Sequence, residues 1–329
     1  MRTILLPPDV ARRLGPALAR FGDLEVLTPP ETPGEVLVPD ALERIEAAFF
    51  NLGSGPLGTR RILGAALRAP GLRWLHLGHS GVDDPAFQTL MQRGVTVTNS
   101  AGANAEPIAQ SAIAGMLALN RGILGWVDAQ RRRAWEADAD DLPAERLPRE
   151  LRGQTMVIFG LGSIGGHVAR FARAFGIRVV GVRRTPATAE DGVDQWASPD
   201  RLDDVLPAAD IVVLTAPLTA ETRSTFDARR LDLLPAGAVL VNVARGELVD
   251  EEALAERLAG GRLGGAYLDV FTTEPLPPES PLWDLPNVLI SPHDSGRSAG
   301  TQYRVDAIFL DELARWTRGE PSSREVRLE

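Results

Sequence analysis

The stretch that decides the fold is "VIFGLGSIGGHVARFARAFG", residues 157 to 176. A short apolar run typical of a buried strand leads into a GxGxxG pattern, and a helical pattern follows it. That order is typical of a dinucleotide-binding βαβ unit, in which glycines let the backbone approach a pyrophosphate at the helix N-terminus. A purely structural glycine-rich turn is the alternative. The motif predicts a dinucleotide site formed by Gly160, Gly162, Ser163, Ile164 and Gly165.

Short apolar runs alternate with helical patterns along the chain, which is typical of an α/β fold with parallel sheets. The candidate strands in the first hundred residues are "RTILL", "LEVLT", "AAFFNL", "RWLHLG" and "VTVTN". Those of the second half are "TMVIFG", "IRVVGV", "DIVVLTAP", "AVLVNVA", "GAYLDVF" and "NVLISP". A chain of 329 residues is longer than one hydrophobic core usually serves. We therefore expect two domains, each with its own sheet.

Composition and charge exclude several classes of function. The 44 acidic residues outnumber the 35 basic ones and give a net charge of −9, which argues against nucleic acid or an anionic membrane as the partner. No stretch reaches the roughly 18 apolar residues of a membrane span, and the apolar run at the amino terminus is too short for a signal peptide. We expect a cytoplasmic protein.

The residue types that the chain lacks narrow its chemistry further. It has no cysteine, so disulfides, thiol nucleophiles and cysteine-bound metals are excluded. All its basic residues are arginine apart from the histidines, which excludes lysine chemistry. No cluster of histidine, aspartate and glutamate has the spacing of metal ligands, so we expect no metal site.

The end of the strand after the glycine motif selects between NAD and NADP. An NAD site places a carboxylate about 20 residues after the glycines, where it binds the adenosine ribose. Here the chain reads "RVVGVRRTP", with Arg183 at about that position and Arg184 and Thr185 after it. Guanidinium groups suit a 2′-phosphate, and a threonine hydroxyl adds a hydrogen bond. We therefore favour NADP(H); the alternative is NAD(H) beside two solvated arginines.

Several further segments, together with the glycine motif, resemble the D-isomer-specific 2-hydroxyacid dehydrogenases, and among them the glyoxylate and hydroxypyruvate reductases. The matching segments are "HSGVDD" (79–84), "GLGSIG" (160–165), "APLTAETRSTF" (216–226), "VNVARGELVDEEAL" (241–254), "LDVFTTEPLPPESPLWDLPNVLISPH" (268–293) and the tail "FLDELARWTRGEP" (309–321). They cover nearly the whole chain in a consistent order. The resemblance implies an oxidoreductase that transfers hydride between NAD(P)H and a small 2-oxoacid or D-2-hydroxyacid.

The resemblance also implies a catalytic trio of Arg245, Glu274 and His293. Physical chemistry supports each role: a guanidinium can hold the substrate carboxylate and polarise its ketone, and a histidine can supply or remove the alcohol proton. A carboxylate bonded to the other ring nitrogen of the histidine fixes its tautomer. Taken singly, each residue has an ordinary structural alternative. None of the other histidines, His76, His79 and His167, lies in a segment that predicts a comparable catalytic role.

Further residues are carried over from the resemblance. The backbone amides of Ser80 and Gly81 are expected to bind the substrate carboxylate, as Arg245 does, and the loop 51–58 to face the variable end of the substrate. On the cofactor side the resemblance implies contacts from Pro217, Thr222 and Asp269.

The architecture that the resemblance implies is two Rossmann-like or flavodoxin-like doubly wound domains with an active-site cleft between them. Residues 1–102 and 295–329 form the substrate domain, and residues 103–294 form the NAD(P)-binding domain. The helix predicted over 103–122 is apolar on nearly every face, so we expect it to be buried all round. A homodimer is also implied, with Trp126 and Trp135 on the arm after that helix.

Two features keep other interpretations open. Asp294 follows His293 where the family usually has an apolar or small residue, so either Asp294 or Glu274 could orient the histidine; we favour Glu274, because adjacent residues of an extended chain point in opposite directions. The same fold also serves nucleotide-sensing binding proteins that resemble the C-terminal-binding corepressors. An intact trio favours the enzyme.

Overall fold

The structure is a computed structural model that describes residues 2–32, 34–82, 84–135 and 148–326. The chain divides into two compact units, Met1–Ala103 with Ser298–Glu329, and Asn104–Arg297. The corresponding boundaries predicted from the sequence are 102/103 and 294/295. Each unit contains one sheet in which all the strand pairs are parallel. The expected fold class, two parallel-sheet α/β domains, is confirmed.

The first unit is built on a five-stranded sheet. Its strands are β1 (Arg2–Leu5), β2 (Leu24–Leu27), β3 (Ala47–Phe50), β4 (Trp74–Leu77) and β5 (Thr96–Asn99), in the spatial order β2-β1-β3-β4-β5. Its helices are α1 (Pro8–Leu18), α2 (Pro39–Arg44), α3 (Gly55–Arg68), α4 (Pro85–Gln92) and, near the end of the chain, α11 (Thr301–Arg318). Every residue of β3 and β4 is buried, as expected of parallel strands that are covered on both faces. All five strands coincide with candidate runs of the sequence.

The segment 51–58 differs from the loop that the sequence analysis expects. Leu52–Ser54 form a 3₁₀ turn and α3 begins at Gly55, so the second half of the segment is helical. Pro56 lies in the first turn of that helix, where a missing N–H costs nothing because those groups have no intrahelical acceptor. Glycine and proline were interpreted as loop residues, but here they start a helix.

The second unit is built on a seven-stranded sheet. Its strands are β6 (Thr155–Phe159), β7 (Arg178–Val182), β8 (Gln195–Ala197), β9 (Ile211–Leu214), β10 (Val239–Asn242), β11 (Gly265–Leu268) and β12 (Val288–Ile290). Its helices are α5 (Ala105–Asn120), α6 (Ile123–Arg132), α7 (Ser163–Ala174), α8 (Leu202–Val205), α9 (Ala228–Leu233) and α10 (Glu251–Ala259). The spatial order β12-β11-β10-β9-β6-β7-β8 reverses direction at β6, and open α/β sheets bind ligands at such a switch point.

Two features of the second unit depart from expectation. Strand β8 was not predicted, because it has three residues and begins with the exposed Gln195, so no apolar run marks it. Helix α5 is buried by β10, β11 and α7, yet Glu106, Gln110 and Ala114 form an exposed stripe along it. The expected burial on every face is therefore wrong for the single chain. Elsewhere the packing of α5 is close: a Cβ on Gly115 would lie 2.4 Å from the ring of Tyr267.

Candidate active site

The glycine turn connects β6 to α7 and leaves one open position. Gly160 has φ of +102°, and a Cβ on it would lie 2.3 Å from the backbone nitrogen of Ala216. A Cβ on Gly165 would lie 2.4 Å from the carbonyl oxygen of Gly160, so both outer glycines are required by backbone packing. A Cβ on Gly162, in contrast, would meet nothing within 4 Å. The middle glycine therefore borders open space directly before the first residue of α7.

This geometry fits the pyrophosphate of a dinucleotide. The first N–H groups of a helix have no intrahelical acceptor, and the helix dipole adds partial positive charge there. Ser163, Ile164 and Gly165 occupy those positions in α7. The apolar side of α7, with Val168 and Ala172, is buried against the sheet and fixes the helix end at the carboxyl edge. The residues that would hold the diphosphate are thus Gly162 and the first turn of α7.

Arg183 follows β7, and its guanidinium binds the chain itself. The Nε–H donates to the carbonyl of Thr185 at 2.9 Å, and Nη1 and Nη2 donate to the carbonyls of Leu161 at 3.3 Å and Pro186 at 2.8 Å. Nη1 and Nη2 also donate to the two carboxylate oxygens of Asp191 at 3.1 and 2.7 Å. All five donors of Arg183 are therefore bound to acceptors of the chain, whereas the sequence predicts that they face a 2′-phosphate.

The next two residues after β7 have different surroundings. Arg184 and Thr185 are exposed. The pKa of Glu221 is lowered, mainly by a hydrogen bond from the hydroxyl of Thr219 and in smaller part by the charge of Arg184. Arg184 thus lies near the turn after β9, which contains the predicted cofactor residues Pro217 and Thr222. Within that turn the Thr222 hydroxyl donates to the carbonyl of Pro217 at 2.7 Å.

Asp269 follows β11 and anchors the loop that carries His293. Its carboxylate is buried, and Oδ1 accepts from the Ser291 hydroxyl at 2.5 Å and from the backbone N–H groups of Asp294 and Ser295 at 2.9 and 3.1 Å. Oδ2 accepts from the Ser295 hydroxyl, and the carbonyl of Asp269 accepts from the His293 N–H at 2.8 Å. The family resemblance implies a cofactor contact for Asp269, and no local pattern in the sequence indicates that it anchors this loop.

His293 and Glu274 form the central pair of the site. Glu274 Oε2 lies 2.8 Å from Nδ1 of His293, and Glu274 Oε1 accepts from the Phe271 N–H at 3.0 Å. The carboxylate is therefore bonded on both oxygens and fixes the orientation of the imidazole. Asp294 instead lies 3.6 Å from Nη1 of Arg297. In the structure the carboxylate beside His293 Nδ1 is that of Glu274, whereas the adjacent Asp294 lies beside Arg297.

Arg245 follows β10 on a turn that Asn242 holds. The Asn242 side chain donates to the carbonyl of Arg245 at 2.9 Å and accepts from the Ala244 N–H at 3.1 Å. A Cβ on the next residue, Gly246, would lie 2.0 Å from the carbonyl carbon of Phe271. The turn that carries Arg245 and the turn that carries Glu274 therefore pack backbone against backbone, at a spacing that only glycine permits.

The remaining predicted residues lie in the first unit. Ser80 and Gly81 follow β4, and the carbonyl of Ser80 accepts from the Asn99 side chain at 3.0 Å. Asn51, which begins the segment 51–58, is buried and accepts from the Gly53 N–H at 3.2 Å. Asn51 and Asn242 each follow or end a strand, and each side chain accepts a hydrogen bond from an N–H of its own turn. An asparagine at the end of an apolar run was therefore the sequence signal by which these turn-stabilising residues could have been found.

The described residues were also searched for metal-binding groups of side chains and for membrane-spanning helices. Within residues 2–32, 34–82, 84–135 and 148–326, no group of three or more histidine, aspartate and glutamate side chains is arranged to hold a metal ion. Across the same residues, no helix has both the length and the apolar character needed to cross a membrane.

Comparison with known proteins identifies the family. The family model described as "D-isomer specific 2-hydroxyacid dehydrogenase, NAD binding domain" matches residues 113–295. A glyoxylate reductase of Korarchaeum cryptofilum is 34% identical over 255 residues, which cover 77% of this chain and 75% of that protein.

Solved structures of related proteins share the fold of this chain over nearly its whole length. A D-isomer specific 2-hydroxyacid dehydrogenase family protein from Aeromonas salmonicida has a TM-score of 0.80 at 30% identity, covering 100% of this chain and 99% of its own. An NADPH-dependent glyoxylate/hydroxypyruvate reductase from Sinorhizobium meliloti has a TM-score of 0.77 at 28% identity, covering 99% and 98%. The chain belongs to the D-isomer specific 2-hydroxyacid dehydrogenase family, and the matching family model covers most of its second unit.

Proposed function

We propose that this protein reduces a small 2-oxoacid of the glyoxylate or hydroxypyruvate type to the corresponding 2-hydroxyacid, of D configuration where C2 is a stereocentre, with NADPH as the preferred reductant. The observation that carries the proposal is the 2.8 Å contact between Glu274 and Nδ1 of His293. The pair lies on loops at the carboxyl edge of the sheet that also carries the glycine turn. A carboxylate that orients a histidine at the carboxyl edge of such a sheet is more consistent with a catalytic role than with an ordinary surface position.

His293 is the proposed acid in reduction and the proposed base in the reverse direction. With the hydrogen on Nδ1 directed at Glu274, Nε2 is the nitrogen that exchanges a proton with the substrate oxygen. A bound nicotinamide would supply the hydride to the carbonyl carbon. As that hydride arrives, the carbonyl oxygen becomes an alkoxide and takes the proton from Nε2. Glu274 stabilises the imidazolium before the transfer and holds the ring in place throughout.

Arg245 is proposed to hold the substrate. Its guanidinium can donate to the carboxylate of the oxoacid and to the ketone oxygen, on which negative charge grows during reduction. The Asn242 side chain holds the backbone of the turn that carries Arg245. The backbone amides of Ser80 and Gly81 are the further proposed ligands of the substrate carboxylate.

The preference for NADP(H) rests on charge at the end of β7. Arginines stand at 183 and 184, where an NAD enzyme places a carboxylate near the adenosine ribose. The related reductase from Sinorhizobium meliloti is described as NADPH-dependent. Binding of NAD(H) with lower affinity is compatible with the same glycine turn. Pro217, Thr222 and Asp269 are proposed to line the nicotinamide half.

We further propose that the protein is a cytoplasmic homodimer. Trp126 on α6 is 59% exposed and Trp135 just after it is 95% exposed, and large aromatic side chains of this kind are enriched in protein interfaces. Light scattering coupled to gel filtration tests the dimer, and Trp126→Asp is expected to yield a monomer.

The decisive experiment is a panel of 2-oxoacids against both reduced cofactors. We expect oxidation of NADPH with glyoxylate and hydroxypyruvate, followed by absorbance, and a lower kcat/KM with NADH. Larger 2-oxoacids define the limit of the pocket. Tight binding of NADPH without turnover of any 2-oxoacid would contradict the enzyme and favour a nucleotide-sensing binding protein, which the oriented His293 argues against.

A further inference from the structure

The backbone of His293 adopts a left-handed conformation. Its φ is +52°, in a region that residues other than glycine rarely occupy because the Cβ then lies too close to the backbone. Such a conformation persists only where the surrounding structure enforces it. The His293 N–H is shared between the carbonyls of Asp269 at 2.8 Å and Ser291 at 3.0 Å. The groups that hold Asp269 and Ser291 therefore also determine the conformation of His293.

A chain of two hydrogen bonds runs from a buried tyrosine to this loop. Tyr267 Oη lies 2.9 Å from the hydroxyl of Ser291, which donates to Oδ1 of Asp269 at 2.5 Å. A hydroxyl has a single hydrogen, and Ser291 gives its own to the carboxylate, so the Tyr267 hydroxyl is the donor in the first bond. Burial raises the pKa of Tyr267 from its ordinary value of 10, which keeps that hydrogen in place. The direction of the chain is thus fixed, from Tyr267 through Ser291 to Asp269.

The sheet places the three side chains of this chain on one face. Asp269 lies two residues after Tyr267 along β11 and its exit, and alternate residues of a strand point to the same face. Tyr267 pairs with Leu289 of β12, and Ser291 lies two residues after Leu289. The pleat of two neighbouring strands therefore brings these polar groups together, although the strands are joined by a long connection.

Helix α5 provides the space that the ring of Tyr267 occupies. The ring is only 4% exposed, and a Cβ on Gly115 would lie 2.4 Å from its Cγ and Cδ1 atoms. The missing side chain at 115 leaves room for the ring at the place from which its hydroxyl contacts Ser291. The same helix also holds the far end of the loop, because the Ser111 hydroxyl donates to the carbonyl of Ser295 at 2.9 Å.

The carboxylate of Asp269 connects the two sides of His293. Its Oδ1 accepts from the side chain of Ser291, two residues before the histidine. The same oxygen accepts from the N–H groups of Asp294 and Ser295, directly after the histidine, at 2.9 and 3.1 Å. A displacement of this carboxylate would therefore release the backbone on both sides of His293 at once.

We infer that Tyr267 and Ser291 are positioning residues for proton transfer: acting through Asp269, their hydroxyl chain keeps His293 in its left-handed conformation, with the ring at Glu274. Neither hydroxyl exchanges a proton with the substrate in this assignment. The inference deepens the role proposed above for His293 and rests on it.

The experiment combines steady-state kinetics with hydrogen–deuterium exchange of the ligand-free protein. Tyr267→Phe removes one oxygen atom and keeps the ring. With glyoxylate and saturating NADPH, we expect kcat to fall by about 3- to 10-fold, the value of one hydrogen bond, and the KM for glyoxylate to stay within about threefold. The amides of residues 293–295 should exchange faster by a similar factor, whereas those of the glycine turn 160–165 should not change.

Variants of Ser291 test the order of the chain. Ser291→Ala removes a bond to a charged acceptor, so kcat should fall by roughly 10- to 100-fold, and Ser291→Thr, which keeps a hydroxyl, should restore it to within about threefold of the parent. The double variant Tyr267→Phe/Ser291→Ala should be no slower than Ser291→Ala, because Tyr267 acts through Ser291. It should also unfold at no lower temperature, because no buried hydroxyl is left without its acceptor.

Two further variants separate positioning from stability. Thr98→Val removes a buried hydroxyl of the first unit, which accepts from Trp74 Nε1 at 2.9 Å. It should lower the unfolding temperature by about 2–4 °C and leave kcat and the exchange of residues 293–295 unchanged. Gly115→Ala keeps every hydroxyl but displaces the ring of Tyr267, so it should reproduce the losses of Tyr267→Phe and gives the same test if that variant does not fold.

The outcomes distinguish the inference from the function on which it rests. Parent values of kcat in Tyr267→Phe and Ser291→Ala, or unchanged exchange of residues 293–295, would overturn the inference, and an inactive His293→Gln would then leave the proposed function intact. A loss of kcat in Thr98→Val as large as that in Tyr267→Phe would also overturn it, since the effect would follow stability alone. If the parent reduces no 2-oxoacid, the proposed function is wrong, and the exchange rates alone decide whether the two hydroxyls hold the loop.

Discussion

His76 and His293 are two histidines near strand ends of the two units, and their surroundings differ in burial and in the charge of the hydrogen-bond partner. His76 lies within β4, fully buried, with Nδ1 2.7 Å from the hydroxyl of Thr98 and Nε2 3.0 Å from that of Ser100. Burial lowers its pKa from 6.5 to about 3. The side chain of His293 is half exposed, and Glu274 holds its Nδ1.

The difference shows what makes a histidine suitable for proton transfer. His76 has both ring nitrogens committed to hydroxyl groups and is packed among aromatic rings such as Phe49 and Phe309, so it stays neutral and has no route to a substrate. His293 pairs with a carboxylate that can stabilise a positive ring, on a loop at the edge of the sheet. The two side chains are chemically identical, so the difference between them comes from their exposure to solvent and from the charge of their hydrogen-bond partners.

Removing the ring of His293 is expected to have the largest effect. His293→Gln should lower kcat/KM for 2-oxoacid reduction by about 10²- to 10⁴-fold, since no side chain then supplies the proton. Binding of 2′,5′-ADP and the thermal unfolding temperature should stay near those of the parent, because the loop remains anchored by Asp269. Retention of more than about a tenth of the parent activity would contradict the role of His293.

Changing the partner of His293 should have an intermediate effect. Glu274→Gln keeps the size of the side chain but removes the charge that stabilises the imidazolium, so kcat should fall by roughly 10- to 100-fold and the pH optimum of reduction should move to lower pH. Steady-state rates from pH 5 to pH 9 measure both.

The matched control is the carboxylate next to the histidine. Asp294→Asn removes a charge that lies beside Arg297 instead of beside the imidazole. We expect kcat to change by less than about threefold, with the pH optimum unchanged, because exposed ion pairs contribute little. A shift in Asp294→Asn as large as that in Glu274→Gln would reverse the assignment of the partner.

Replacing His76 should affect stability instead of activity. Its folded-state pKa of about 3 lies below the unfolded value of 6.5, so the unfolded chain binds a proton that the folded chain does not. The contribution of neutral His76 to the free energy of unfolding is fully present above about pH 6.5. It is lost as the pH falls from 6.5 toward 3. That loss amounts to about 2 kcal/mol between pH 7.5 and pH 5.

His76→Gln should remove this pH dependence and cost about 1–3 kcal/mol at neutral pH, because the hydroxyls of Thr98 and Ser100 lose a well-placed partner. Urea unfolding at several pH values measures both quantities, and oxoacid reduction at pH 7.5 should change little. An unchanged pH dependence of stability would mean that His76 titrates normally in the folded protein.

The sequence anticipated the regular parts of this protein because their signals are local. Apolar runs marked all the strands except β8, and the order of strand, glycines and helix marked the turn at Gly160 to Gly165. Local patterns misled where glycine and proline started α3 instead of a loop. They also gave no sign that Glu106, Gln110 and Ala114 would remain exposed along α5, because exposure depends on what packs against a helix.

By itself the sequence determined the two parallel sheets and the glycine turn, and its family resemblance singled out Arg245, Glu274 and His293 as candidates, since each depends on residues that are close in the chain or on a motif read as a whole. Only the tertiary structure decided which groups meet. The pairing of Glu274 with His293 spans 19 residues, and that of Asp269 with Ser295 spans 26. Even Arg183 and Asp191, 8 residues apart, meet only because the loop folds back. Hydrogen bonds form between groups that the fold brings together, and distance along the chain does not specify them.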